Sequence, residues 1–307
     1  MTIESALHEF SEYQRYIKGL SPETIKRYKQ HVSFFSRFMN ITTLGDVSEA
    51  SVRSYFFKGR TERSWSASTY RTYHMSLHVF FTWCIKRNYL TENHVEKLEL
   101  PKLPRSIPRG LTNEQAERLL EVVHNYPYRS EFQRIRNYAV YATFIFTGLR
   151  RKELLSLTLT DIDLNRQTIF VRRGKGGRDR IIPLTSKLGI ILNKYLEARR
   201  TTGKTCPEFF TSLKKNDAFT ASALKNLTDD IKEVVDFHFT IHGLRHTFGT
   251  LMAEGGCDVY SLREMMGHSD IKTTMIYVSA SALHIRSQVV KHPLGNDIPI
   301  INSTIAR

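Results

Sequence analysis

Three short segments place cations, imidazoles and a phenol at spacings that suit the handling of an anion. In Thr147-Gly148-Leu149-Arg150, followed by Glu153-Leu154, Arg150 and Glu153 stand three residues apart. On a helix they share a face, and the carboxylate can hold the guanidinium in place. On spacing alone, a surface ion pair is the plainer account. In Thr240-Ile241-His242-Gly243-Leu244-Arg245-His246, Thr240 can cap a helix whose first turn projects His242 and Arg245 together. A helix start carrying an arginine and an imidazole is a ready anion site. His242 and His246 at i and i+4 also match metal-ligand spacing, but the glutamate of HExxH is missing and no carboxylate-rich partner follows. No metal is expected, and His246 reads as a packing histidine. In Met265-Met266-Gly267-His268, Gly267 permits a tight turn that presents His268, and Tyr277 follows nine residues later. Taken alone, one tyrosine among 14 is an ordinary core or interface residue.

Two other patterns carry no chemistry. The stretch from Ala198 to Thr205 approximates a phosphate loop, but it follows a helical pattern instead of a strand, so the backbone cradle has no frame. Gly267-His268-Ser269 opens a nucleophile-elbow pattern without completing it.

The elements that must position these residues fall into two parts. Pro101, Pro104 and Pro108 cannot continue a helix, so residues 101–110 read as a linker between a domain over 1–100 and another over 111–282. In the first part, Ala6, Phe10, Tyr13 and Ile17 form one helical stripe and Ile25, Tyr28, Val32, Phe35 and Phe38 a second. Ser21-Pro22-Glu23 marks the start of the second helix. Further helices are expected from near Ser48 and Ser66, giving a bundle of four or five whose aromatic residues are core, not base-stacking platforms. In the second part, Thr112 to Gln115 is a capping box, and a helix is expected over about Glu131 to Phe146. Thr168–Val171 and Arg180–Leu184 flank the turn Gly174-Lys175-Gly176-Gly177 as a β-hairpin. The fold class is therefore mainly α with a small β-sheet in the C-terminal domain.

The chain has 307 residues with 45 Lys+Arg against 30 Asp+Glu, a net charge of +15, which points to a polyanionic partner. Its 41% hydrophobic and 24% charged content excludes a disordered or collagenous chain. No signal peptide and no membrane span are expected: the most apolar window, Tyr138 to Leu149, is interrupted by threonine and far short of ~18 residues. Cys84, Cys206 and Cys257 are widely spaced, with no zinc-ligand pattern. Reduced thiols and a cytoplasmic location are expected.

In this order and spacing, the segments resemble the tyrosine recombinase, or phage integrase, family. Its TGLR-x-x-E-L box is matched at Thr147 to Leu154, its hairpin lysine at Lys175, its H-x-x-R-H box at His242 to His246, and its LGH box by Met266-Gly267-His268 with Tyr277 nine residues on. The stretch Leu20 to Tyr28 resembles the start of the family's helical core-binding domain. The length is similar to that of short, Xer-like members, whereas Val278-Ser279-Ala280 after Tyr277 departs from the Thr-His-Val common in Xer proteins, and Met265-Met266-Gly267-His268-Ser269 is closer to mobile-element members.

The resemblance implies a two-domain architecture and a site-specific recombinase that cleaves and rejoins DNA through a 3′-phosphotyrosyl bond, with no cofactor. The implied biology is integration, excision or transposition of a mobile element. Tyr277 would be the nucleophile and His242 its general base, later an acid. Arg150 and Arg245 would bind the nonbridging oxygens, Lys175 would protonate the leaving 5′-oxygen, His268 would contact the phosphate, and Glu153 would orient Arg150 or another member of the site. Arg172, Arg173, Arg178 and Arg180 around the hairpin are candidate DNA-backbone contacts, with a solvated basic turn as the alternative. The implied partners are double-stranded DNA, clamped by two basic domains, three further copies in a homotetramer on paired sites, and accessory DNA-bending or directionality proteins. The chain after Tyr277 carries Ala282, Ile285, Val289 and Val290 as a short amphipathic segment, and the tail 283–307 would pack into a neighbouring protomer or against its own domain. Xer-type dimer resolution, a type IB topoisomerase and a non-catalytic DNA-binding regulator are the alternative readings.

Overall fold

The computed structural model describes residues 1–103, 110–172 and 179–280. The chain divides into two compact units, Met1–Arg105 and Ser106–Arg307.

Among the described residues, the first unit is built on four α-helices: α1 (Ile3–Glu12), α2 (Pro22–Met39), α3 (Glu49–Thr61) and α4 (Ala67–Lys86). Thr2, Ser21, Ser48 and Ser66 cap them, each side-chain oxygen accepting from a backbone N–H three residues on, which satisfies donors that a helix start leaves unpaired. The aromatic stripes turn inward. Phe10 meets Phe80 edge-on with ring centroids 5.4 Å apart, and Phe35 meets Tyr55 at 5.0 Å, a favoured aromatic geometry.

One member of the first stripe departs from expectation: Ile17 is 70% exposed. Tyr13–Ile17 continues α1 as a π-helical turn, whose wider i→i+5 winding rotates the later residues away from the core-facing stripe.

The second unit packs around a buried helix. It comprises α5 (Asn113–Asn125), α6 (Glu131–Thr147), α7 (Arg151–Leu155), β1 (Ile162–Asp163), β2 (Thr168–Val171), β3 (Arg180–Pro183), α8 (Ser186–Thr201), α9 (Ala221–Lys232), α10 (Ile241–Glu254), α11 (Val259–Met266) and α12 (Lys272–Ala280). In α6, Ala139, Val140, Tyr141, Ala142, Phe144 and Ile145 are all buried, so this helix is the centre of the unit's core. The strands form an antiparallel sheet in the order β1-β2-β3, with Thr168 opposite Pro183 and Val171 opposite Arg180. Ile169, Val171 and Ile182 supply its buried face, as the twofold alternation of a strand requires. A separate small cluster of Phe248, Ala253, Leu262, Met266 and Tyr277 joins α10, α11 and α12. Cys84, Cys206 and Cys257 are free thiols. Among the described residues, no helix is long and apolar enough to cross a membrane.

Candidate active site

The site is assembled where α6 hands over to α7. Gly148 ends α6 in the left-handed conformation, and Arg150, in an extended conformation, is the N-cap of α7. Glu153 lies one turn into α7. Its Oε2 accepts from the Arg150 backbone N–H at 2.8 Å and its Oε1 from Arg150 Nη1 at 2.7 Å. The same carboxylate receives Arg180 Nη1 at 3.0 Å and Nη2 at 2.8 Å. Glu153 therefore bridges two guanidiniums.

Three arginines meet the C-terminal end of α11. Arg180 Nε donates to Met265 O at 2.8 Å, Arg245 Nη2 to Met266 O, and Arg150 Nη2 to Gly267 O at 2.9 Å. The last carbonyls of a helix lack intrahelical partners and carry partial negative charge, so three consecutive oxygens are matched to three cations. Gly267 follows at φ +63°, a conformation glycine adopts without strain, and turns the chain so that His268 Nδ1 lies 2.8 Å from Thr274 Oγ1.

The third contribution comes from α10. Thr240 accepts from Gly243 N–H at 2.8 Å, and the turns it starts carry His242, Arg245 and His246. Arg245 is buried and also donates from Nη1 to Gly148 O at 2.7 Å, tying α10 to the end of α6. The rings of His242 and His246 meet edge-on at 4.8 Å. His246 Nδ1 lies 2.8 Å from Tyr277 Oη, and the His268 ring lies parallel to the Tyr277 ring at 6.4 Å. Tyr277 is 2% exposed. It lies directly over Gly249, where an added Cβ would fall 2.9 Å from the ring carbons, so α12 can approach α10 this closely only across a glycine.

Burial and positive charge set the protonation states. Burial pushes the Glu153 carboxyl up, but hydrogen bonds and charge from Arg180 and the Arg150 contacts reverse this and hold it at about 2. Burial, then the charge of neighbouring groups, lowers His242 below its ordinary value and takes His246 and His268 down to about 4. Burial lowers Arg245 to about 10, with Arg150 adding to the effect. Burial raises the Tyr277 phenol, partly offset by Arg245. At neutral pH the site holds neutral imidazoles, a protonated phenol and charged guanidiniums.

Of the residues singled out in the sequence, Arg150, Glu153, His242, Arg245, His268 and Tyr277 are brought together by these contacts. Arg150, His242 and Arg245 also line one cleft, with Lys225 and Lys232 of α9 on its wall. Lys175, Arg173 and Arg178 lie outside the described residues, as does the tail 283–307. Arg172 is 59% exposed and paired with Asp161. Two residues differ from expectation. The sequence groups Arg180 with the DNA-backbone contacts, yet its side chain is 7% exposed and bound to Glu153, because an inward position on β3 aims its charge at that carboxylate and at the end of α11. His246, which the sequence presents as a packing histidine, is the one that meets the Tyr277 hydroxyl. Its i, i+4 spacing from His242 is the signal visible in the chain. Among the described residues, no group of three or more His, Cys, Asp or Glu is placed to hold a metal ion.

Comparison with known proteins identifies the family and the fold. The phage integrase family matches residues 109–284, and the N-terminal SAM-like domain of phage integrases matches residues 7–91. Tyrosine recombinase XerA of Pyrococcus furiosus is 30% identical over 284 residues, covering 92% of each chain. Tyrosine recombinase XerA of Pyrococcus horikoshii is 27% identical over 290 residues, covering 94% of this chain and 93% of the relative. The Tn1549 transposon integrase, solved in complex with a circular intermediate DNA, shares the fold with a TM-score of 0.71 at 19% identity, over 95% of this chain and 100% of that one. The chain belongs to the phage integrase family, the tyrosine recombinases, which are enzymes of DNA strand cleavage and transfer.

Proposed function

We propose that this protein is a site-specific recombinase that cleaves double-stranded DNA with Tyr277 and rejoins it to a partner strand. The observation that carries the reading is that Tyr277 meets His246 and His268, while Arg245 and Arg150 converge on the carbonyls of Met266 and Gly267 just before His268. Tyr277 Oη attacks the scissile phosphorus, the bond to the 5′-oxygen breaks, and a 3′-phosphotyrosyl bond forms. Another strand's 5′-hydroxyl then reverses the step. One phosphodiester replaces another, so no energy source is needed.

A phenol with a raised pKa needs a base. The proton is assigned to His246, whose Nδ1 is already at hydrogen-bond distance, while His242 faces the cleft beside Arg150 and Arg245 and binds the phosphate. The low pKa keeps His246 unprotonated, and able to accept, down to near pH 4 in the DNA-free protein. A docked phosphodiester would raise its basicity through its negative charge. His246→Asn is expected to slow adduct formation by about 10²-fold or more. The residual rate should climb about tenfold per pH unit, because phenolate must then form by loss of its proton to solvent. His242→Asn should be slow without that climb, and the opposite pattern would return the proton to His242.

Arg150 and Arg245 each offer a planar fork to the nonbridging oxygens, with Glu153 orienting Arg150 and His268 beside the phosphate. The leaving 5′-oxygen receives its proton from Lys175. A duplex with sulfur at that bridging position should therefore restore Lys175→Ala cleavage to near the parent rate, since a thiolate departs without a proton. Equal slowness on both duplexes would remove Lys175 from this role. Arg172, with Arg173 and Arg178, is assigned to the DNA backbone, where phosphate contacts make binding strongly salt-dependent.

Residues 1–100 are assigned as the core-binding domain, 111–282 as the catalytic domain, and 101–110 as the linker. The working assembly is a homotetramer on paired sites in the cytoplasm, with DNA-bending or directionality proteins as accessories. Removing residues 283–307 should abolish tetramers on DNA, and their persistence would mean that the tail packs on its own domain. The biological role assigned is integration, excision or transposition of a mobile element. Xer-type dimer resolution is the second reading, favoured by the near full-length match to the XerA relatives. Sequencing the DNA captured covalently in cells separates them: element ends support the first, a single chromosomal locus the second.

A further inference from the structure

We infer that Arg180 is a positioning residue for strand cleavage, bracing Glu153 and the end of α11 so that Arg150 and His268 keep their places. The inference rests on the roles proposed above for Arg150 and Tyr277. Arg180 uses all three of its nitrogens on the site: Nη1 and Nη2 on the two oxygens of Glu153, and Nε on Met265 O. A Cβ on Gly267 would lie 3.0 to 3.2 Å from its side-chain atoms, so the guanidinium is packed against the turn that sets His268.

The pattern is a closed loop of contacts. Arg180 binds Glu153, Glu153 binds Arg150, Arg150 binds Gly267 O, and Arg180 returns to Met265 O two residues earlier. Glu153 approached by Arg150 alone would keep a single donor on each oxygen, the backbone N–H on Oε2 and Nη1 on Oε1, whereas Arg180 supplies each oxygen with a second. The second fork makes the carboxylate rigid. A buried ion pair contributes little net stability against an apolar replacement, so a charge of this kind at this place is better explained by what it orients. Arg180 also opens β3 opposite Val171, immediately after the segment that carries Lys175, and thus ties that strand to the phosphate-binding arginines.

The test compares Arg180→Lys and Arg180→Gln with the parent in single-turnover adduct formation on a nicked duplex, alongside duplex affinity and thermal melting. Both variants should bind DNA within about threefold of the parent while forming adduct about 10- to 100-fold more slowly, the usual cost of removing a group that orients a reacting side chain. Arg180→Gln should also lose activity at a higher pH than the parent on the acid side, because burial of Glu153 is then countered by the Arg150 contacts alone and its carboxyl titrates higher. The double variant Arg180→Lys with Glu153→Gln should be no slower than the slower single, since both act through one unit. If Arg180→Gln fails to fold, Arg180→Lys and the double variant decide. Parent-like rates and pH profile in a folded variant would overturn the inference, as would a loss confined to DNA affinity with a shallower salt slope, which would return Arg180 to the DNA backbone. No adduct from the parent would overturn the proposed function and this inference together, whereas a competent parent with unaffected variants overturns only this one.

Discussion

Tyr277→Phe is expected to abolish the covalent protein–DNA adduct while leaving duplex affinity within about threefold of the parent. The substitution removes one oxygen. The ring keeps its seat over Gly249 and its neighbours Phe248, Leu262 and Met266, and what disappears is the hydrogen bond to His246. That bond is worth about 1 kcal/mol in stability, too little to unfold the unit. Every other group is proposed to serve the phosphate, the proton or the leaving oxygen, and none of these proposed roles supplies a second nucleophile. Denaturing electrophoresis of the variant with a nicked duplex checks this, and any residual adduct would assign attack to another residue.

Arg245→Lys carries the next largest effect, a loss of about 10²- to 10³-fold in adduct formation. Arg245 spans two carbonyls, Gly148 O at the end of α6 and Met266 O at the end of α11, and it also lines the cleft beside Arg150 and His242, where an oxyanion is proposed to bind. A lysine retains the charge but has no planar fork. It cannot hold both carbonyls and a phosphate oxygen at once, and an unpaired buried carbonyl costs about 1–3 kcal/mol. Melting by circular dichroism should show a modest drop, and burst kinetics a far larger fall in cleavage. A lysine variant that cleaves as the parent does would mean that charge alone suffices, and that the fork geometry at Arg245 is irrelevant.

What can be read in the chain depends on the range of the interaction. Helix starts are legible because capping is local: Ser21, Ser48, Ser66, Thr112 and Thr240 cap the helices expected to follow them. The hairpin strands are legible from alternation, and β2 and β3 pair as that alternation requires. Ile17 escapes the pattern because a π-helical turn shifts the phase of a stripe without altering residue types. The partners of Arg180 and His246 are illegible for another reason. Glu153 is 27 residues from Arg180 and Tyr277 is 31 from His246, and no local rule fixes which of several imidazoles or guanidiniums folding will place against a distant group. A basic residue beside a basic turn therefore reads as surface, although burial turns it inward.

Covalent attachment of DNA to Tyr277 without help from a metal is the step on which every proposed role depends. It is tested most directly by incubating the protein with nicked duplexes from its own genomic neighbourhood in EDTA, digesting the trapped complex and sequencing the DNA-linked peptide. A metal-independent adduct on the peptide containing Tyr277 is expected. Duplex binding with no adduct on any substrate, or an adduct on another residue, would contradict it.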